Sequence, residues 1–188
     1  VATRLDIARH WVMTHAPTGG WKPSTMPKAL FMARFGGVFE HSPWVAEKAW
    51  SSGLTSLHDS ATGLHQAMTR QMRVGSEAER RSLINAHPDL AGKLAQAKQL
   101  TADSTGEQAS AGLDRLTADE LARFTSLNDR YKEMFGFPFI LAVKGLTKVD
   151  ILANFEARLG NSAEQEFETA LAQIEKIALL RLRDILPG

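Results

Sequence analysis

"FPFILAV", residues 137–143, is the one run in this chain that reads as a β-strand. It is short and apolar, it carries aromatic and β-branched residues, and it follows the turn signal of Gly136. A strand without a partner leaves its backbone groups unpaired, and no second run of this kind stands elsewhere in the sequence to pair with it. The run is therefore expected to be a short buried helix. With the one strand candidate gone, the fold class is all-α: a single compact domain of about eight or nine helices.

The segments around it support that reading through their caps. "TADELARFTSLNDRYKEMF" (117–135) opens with Thr117 and Glu120 in a capping box, and "SEAERRSLINAH" (76–87) opens with Ser76 and Glu79 in the same pattern. Ser104 and Glu107 in "STGEQASAGLDRL" match it too. "TMPKALFMARFGG" is a helix stopped by Gly36-Gly37, and Ser42-Pro43 starts the next, Ser as cap and Pro in the first turn. In "SLHDSATGLHQAMTRQM" (56–72), Leu57, Leu64, Met68 and Met72 are expected on one face. "TKVDILANFEARL" and "SAEQEFETALAQIEKIALLRLRDIL" complete the set. Residues 1–27, with "THAPTGGWKPSTMP", read as an arm of unknown role, helix-like from Leu5 to Met13 and then irregular, before a domain spanning 28–188.

Composition excludes several classes of function. The chain of 188 residues has 22 Lys and Arg against 21 Asp and Glu, so no basic face for nucleic acid or membrane surface is indicated. It holds no cysteine, which removes disulfides, thiolate nucleophiles and Cys-based metal sites. No apolar run reaches the ~18 residues of a membrane span, no signal-peptide core precedes the domain, and "DILPG" carries no peroxisomal address. A cytoplasmic protein is expected; the Val at position 1 points to a processed or engineered start. There is no H-E-x-x-H, G-x-S-x-G or G-x-x-x-x-G-K-[ST] motif, so metalloprotease, α/β-hydrolase and P-loop readings have no support.

Four places could carry chemistry. In "INAHPDLAGKLA" (84–95), Pro88 interrupts a helix-forming run and disfavours α geometry at His87. The break either turns a corner or aims an imidazole into a pocket. In "LTADSTGEQASAG" (100–112), Glu107 and Gln108 either serve a helix start or face a cavity, where a carboxylate near an imidazole makes an acid–base pair. "MFGFPFI" (134–140) is an apolar plug whose Gly136 and Pro138 free backbone groups that a ligand rich in N–H and C=O could use. On the last helix, Phe167, Leu171, Ile174, Ala178 and Ile185 share an apolar arc that includes Arg181, while Arg183 points away. A guanidinium there needs either an internal carboxylate or an anionic, carbonyl-rich ligand. Of the other histidines, His10 and His15 fall in the arm, His58 and His65 are too far apart for one helical turn, and His41 precedes a cap, either structural or lining a pocket.

Together, "FGGVFEHSPWVAEKAW", "AHPDLAGK", "LTADSTGEQASAGLDRL", "LNDRYKEMFGFPFILAVKG", "ILANFEARLGN" and "IALLRLRDIL" resemble, in order, the family of 2-oxo-4-hydroxy-4-carboxy-5-ureidoimidazoline (OHCU) decarboxylases, from about residue 28 to the end. The resemblance implies an all-helical, cofactor-free homodimer with no metal. It would decarboxylate OHCU to (S)-allantoin, the last step from urate. It places the catalytic histidine on His87 and its carboxylate partner on Glu107. Substrate contacts fall on Pro88, Ser104 and Gln108, on the backbone near Phe139 and Ile140, and on Arg181, with Arg158 the fallback. The rival reading is a non-catalytic ureide-binding or interaction module on the same fold. A second rival, hydrolysis of a related imidazoline, would need an activated water.

Overall fold

The computed structural model describes residues 20–92 and 99–187, so the helix-like reading of Leu5–Met13, along with His10 and His15, falls outside the described residues. Among the described residues are eight α-helices and no strand: α1 (Lys28–Phe35), α2 (Pro43–Ser51), α3 (Ala61–Arg73), α4 (Glu77–Asn85), α5 (Ala102–Ser110), α6 (Ala118–Phe135), α7 (Lys148–Arg158) and α8 (Ala163–Arg183). The all-α reading holds. The described residues fall into two compact units, one of 20–83 together with 178–187, the other of 84–92 together with 99–177.

In the first unit, α1 stops at Gly36 and α2 starts after Ser42 with Pro43 in its first turn, as read from the sequence, although the Ser42 side chain makes no capping hydrogen bond. Ser60 caps α3 by accepting from the Gly63 N–H at 3.1 Å. Leu64, Met68 and Met72 are fully buried, each removal of such a side chain from water being worth about 1.5–3 kcal/mol. Leu57 does not share their face. It sits in a separate 3-10 turn, Ser56–His58, and is 79% exposed. Gly63 shows why helix and turn cannot merge: a Cβ there would stand 1.8 Å from the Leu57 carbonyl oxygen, so the two segments cross at backbone contact. Residues 20–27 are packed rather than loose. Trp21 and Met26 are buried, and the Ser24 N–H and hydroxyl donate to the two Asp59 oxygens at 2.8 and 2.9 Å.

The second unit is built around Tyr131 of α6: Phe139 and Phe155 pack edge-on to its ring and stack on each other, and Phe124 lies edge-on to Phe155. Residues 137–143 are neither the short helix expected nor a strand; they run irregularly through this core. Gly136 ends α6 in the left-handed region at φ 75°, and Pro138, lacking an N–H, cannot donate to a helix continued past that point. What makes the irregular path tolerable is side-chain partners for its backbone. The Ile140 carbonyl accepts from Arg158 Nη1 at 2.6 Å, and the Ala142 N–H donates to Gln173 Oε1 at 3.0 Å. Both partners come from later helices, so the run by itself could not show that its backbone would be satisfied without regular structure.

Candidate active site

Helix α4 ends at Asn85, two residues before His87, whose N–H still reaches back to the Ile84 carbonyl at 3.1 Å. The break anticipated from Pro88 is therefore real. His87 is 8% exposed. The turn that follows has one main-chain bond of its own, from the Gly92 N–H to the Asp89 carbonyl at 3.3 Å, and Ala91 takes a left-handed φ of 52°, which costs a residue with a Cβ energy that its surroundings must offset. Three side chains supply the fixing bonds. Gln108 Oε1 accepts from the Ala91 N–H at 2.9 Å, Asn128 Nδ2 donates to the Leu90 carbonyl at 2.8 Å, and Lys132 Nζ meets Asp89 Oδ2 at 2.7 Å. The carboxylate of Asp89 beside it holds the Lys132 ammonium above the usual lysine range.

Beside this turn lies a pocket of about 560 Å³ lined by His87, Pro88, Asp89, Asn128, Lys132 and Pro138, among others. That volume is in the range of sites for small molecules. The histidine singled out from the sequence thus lines a cavity.

Helix α5 begins one turn earlier than the sequence suggested. Thr101 is its cap, accepting from the Ser104 N–H at 3.3 Å, so Ser104 is not a cap and its pattern with Glu107 is not a capping box. The competing Thr101 lies three residues upstream and offers the same hydroxyl. Ser104 and Gln108, one turn apart, are both buried, and Glu107 is half-buried on the same helix. Gln108 is brought to the His87 turn, where it binds main chain. Phe139 and Ile140 are buried in the core of their unit.

The two candidate arginines have carboxylate partners. Arg158 binds Glu166 through Nε and Nη2, at 3.0 and 2.8 Å to Oε2, and its Cζ lies 4.4 Å from the Phe139 ring centroid. Glu166 also accepts from Tyr131 and, at 2.6 Å, from Asn161. Burial, reinforced by Glu166, pushes the Tyr131 hydroxyl above the usual phenol range and keeps it a donor. In the first unit, Arg181 Nη1 binds Glu40 Oε2 at 2.8 Å and the Val38 carbonyl at 3.3 Å, with both charged side chains buried. Its place on the buried arc is confirmed, as is the exposure of Arg183. His41 is exposed at φ 46°, 3.9 Å from Glu40.

Sequence reasoning missed Asn128, Lys132, Glu166 and Glu40. A signal existed for two of them. Asn128 repeats with Phe124, Tyr131 and Phe135 on the buried face of α6, and Glu166 with Ala170, Ile174 and Ile177 on that of α8. A polar residue on such a stripe has to be placed there by a partner.

A helical protein with a histidine at a broken helix, set on a pocket of this size, fits an enzyme or a binder of a small molecule. The comparisons decide between families. The family model described as OHCU decarboxylase matches residues 24–183. A 2-oxo-4-hydroxy-4-carboxy-5-ureidoimidazoline decarboxylase of Halalkalicoccus jeotgali is 42% identical over 158 residues, 84% of this chain and 86% of that protein. A uric acid degradation bifunctional protein of Bacillus subtilis is 43% identical over 155 residues, 80% of this chain but 29% of that one. Among solved structures, an (S)-allantoin synthase superposes with a TM-score of 0.65 at 34% identity, over 87% of this chain and 52% of that chain. This chain belongs to the OHCU decarboxylase family.

Proposed function

We propose that the protein removes carbon dioxide from OHCU to give (S)-allantoin, as a cytoplasmic homodimer in urate degradation. The observation that carries this reading is His87, held at a helix break on the wall of a pocket of about 560 Å³, in a chain of this family. The domain reading, an arm of residues 1–27 before a catalytic domain of 28–188, belongs to the same proposal.

The substrate carries hydroxyl and carboxylate on one ring carbon, next to a C=N carbon bearing the ureido arm. When the carbon–carboxylate bond breaks, its electron pair forms a double bond to that neighbour, and the C=N pair moves onto nitrogen, which takes a proton. The substrate is thus its own electron sink. Loss of the hydroxyl proton as the carbonyl forms, with delivery of a proton to the neighbouring carbon, completes allantoin. In this proposal His87, partnered by Glu107, handles the hydroxyl proton, and delivery from one face sets the S configuration. Pro88, Ser104 and Gln108 shape the site, the backbone at Phe139 and Ile140 meets the ring, and Arg181 is the substrate arginine. Such acid–base help is worth ~10²–10⁴ in rate, and positioning supplies more.

The test is to add freshly made OHCU and follow (S)-allantoin by circular dichroism. Accelerated appearance of one enantiomer supports the reading. Binding of allantoin without acceleration would point to a non-catalytic ureide-binding module instead. No metal or organic cofactor takes part in the proposed steps, so exhaustive chelation is expected to leave turnover unchanged. A loss restored by zinc or manganese would overturn that.

A further inference from the structure

We propose that Lys132 and Asn128 of α6 are positioning residues for His87, acting through the turn at 88–92. The inference rests on the reading of His87 as the acid–base group. The turn has no regular structure and one long main-chain bond of its own, from the Gly92 N–H to the Asp89 carbonyl at 3.3 Å, so its main chain is placed largely by what binds it from outside. Two of those ties come from residues one helical turn apart on α6, Asn128 to the Leu90 carbonyl and Lys132 to the Asp89 carboxylate; the third is Gln108. Asp89 and Leu90 follow His87 and Pro88 directly, and proline's locked φ leaves little slack between them and the imidazole.

Two features show that these residues are not simply stabilising. The Lys132–Asp89 pair is 38% and 25% exposed, and Asp129 stands 3.7 Å from the same ammonium; an exposed pair of this kind contributes little to stability. Asn128, 2% exposed, leaves its Oδ1 buried with no hydrogen-bond donor, a cost that an apolar residue would not incur. What both residues provide is a fixed distance between α6 and the His87 turn, on the wall of the same pocket.

The experiment uses the full chain with Lys132→Met, Asp89→Asn, the double variant, Lys132→Arg and Asn128→Leu. Turnover of OHCU is measured alongside amide hydrogen exchange at Ala91. Lys132→Met and Asp89→Asn should each lower kcat by about 10–100-fold, the scale of a small misplacement, with KM within about threefold. The double variant should be no worse than the poorer single one, and Lys132→Arg should recover most of the loss. Asn128→Leu should lower kcat while Tm moves by less than about 4 °C, because losing the bond to Leu90 is offset by removing the stranded oxygen. Faster exchange at Ala91 in Lys132→Met and Asn128→Leu is required. Unchanged exchange overturns the proposal, as does unchanged kcat, additive losses, or a rise in KM with kcat preserved, which would make Lys132 a direct ligand contact. If the wild type fails to turn over OHCU, the functional reading has failed, and exchange at Ala91 alone still decides whether α6 holds the turn.

Discussion

At His87 the chain gives up helical hydrogen bonding, and Pro88 makes the loss irreversible because it cannot donate to a continuing helix. That much was legible from two adjacent letters. The bonds that turn the break into a fixed geometry were not, because they come from residues 17 to 43 positions away. His87→Asn keeps the size and polarity of the side chain but cannot exchange a proton near neutral pH. It is expected to reduce turnover by ~10²–10⁴ with the melting temperature within a few degrees of wild type. Near wild-type turnover in the folded variant would remove His87 from the chemistry. Arg158 is the opposite kind of residue. Its guanidinium binds Glu166 and the Ile140 carbonyl inside the core, so Arg158→Ala should strand a buried carboxylate and cost ~3–5 kcal/mol in urea unfolding. Pairing it with Glu166→Gln should recover part of that loss, since a neutral amide is less costly to leave unpaired. Equal destabilisation in both variants would show that the ion pair contributes nothing of its own.

Among the helices, those with a reciprocal cap were the best read. Ser76–Glu79 and Thr117–Glu120 form the boxes their letters announce, and Thr147–Asp150 adds a third that opens α7. The signal is local, a hydroxyl and a carboxylate three residues apart, so nothing distant can override it. Where two hydroxyls compete, as Thr101 and Ser104 do, spacing alone does not choose. Residues 137–143 failed for a different reason: periodicity reports regular structure, whereas this segment is held by Arg158 and Gln173 from elsewhere in the chain. The caps also make a pH prediction. The Thr147 N–H and hydroxyl hold the Asp150 carboxyl below the usual range, and at Glu120 the Lys148 ammonium, then the Thr117 N–H, does the same. A depressed carboxylate stabilises the fold above its ordinary pKa and loses that contribution as pH falls through the depressed value. Thr147→Ala should therefore melt a few degrees below wild type at neutral pH, and the gap should close in acid, below the ordinary carboxylate range. A gap independent of pH would mean that the hydroxyl alone, not the carboxylate, does the capping.

On the scale of the whole molecule, the first unit is closed by the C-terminus returning to it. The Pro187 carbonyl accepts from the Ala61 N–H at 2.7 Å, and Arg181 meets Glu40 across 141 residues of sequence. A helical wheel could place Arg181 on a buried arc but could not find its partner at that separation. The discovery of Glu40 sharpens the test of Arg181 as the substrate arginine. Arg181→Ala leaves a buried carboxylate behind and should cost ~3–5 kcal/mol whether or not the arginine also binds ligand. Stability by itself therefore decides nothing. Arg181→Met combined with Glu40→Gln removes the charge from both partners and should recover much of the fold's stability. The thermal shift produced by allantoin then isolates the ligand, because only binding to the native state raises the melting temperature. If Arg181 holds the ligand, the double variant should lose ~1.5–3 kcal/mol of binding, the range for hydrogen bonds to charged groups, and its allantoin shift should nearly vanish. Glu40→Gln alone, which keeps the guanidinium, should retain most of the shift. A double variant that is stable and still shifts like wild type would make the Arg181–Glu40 pair purely structural.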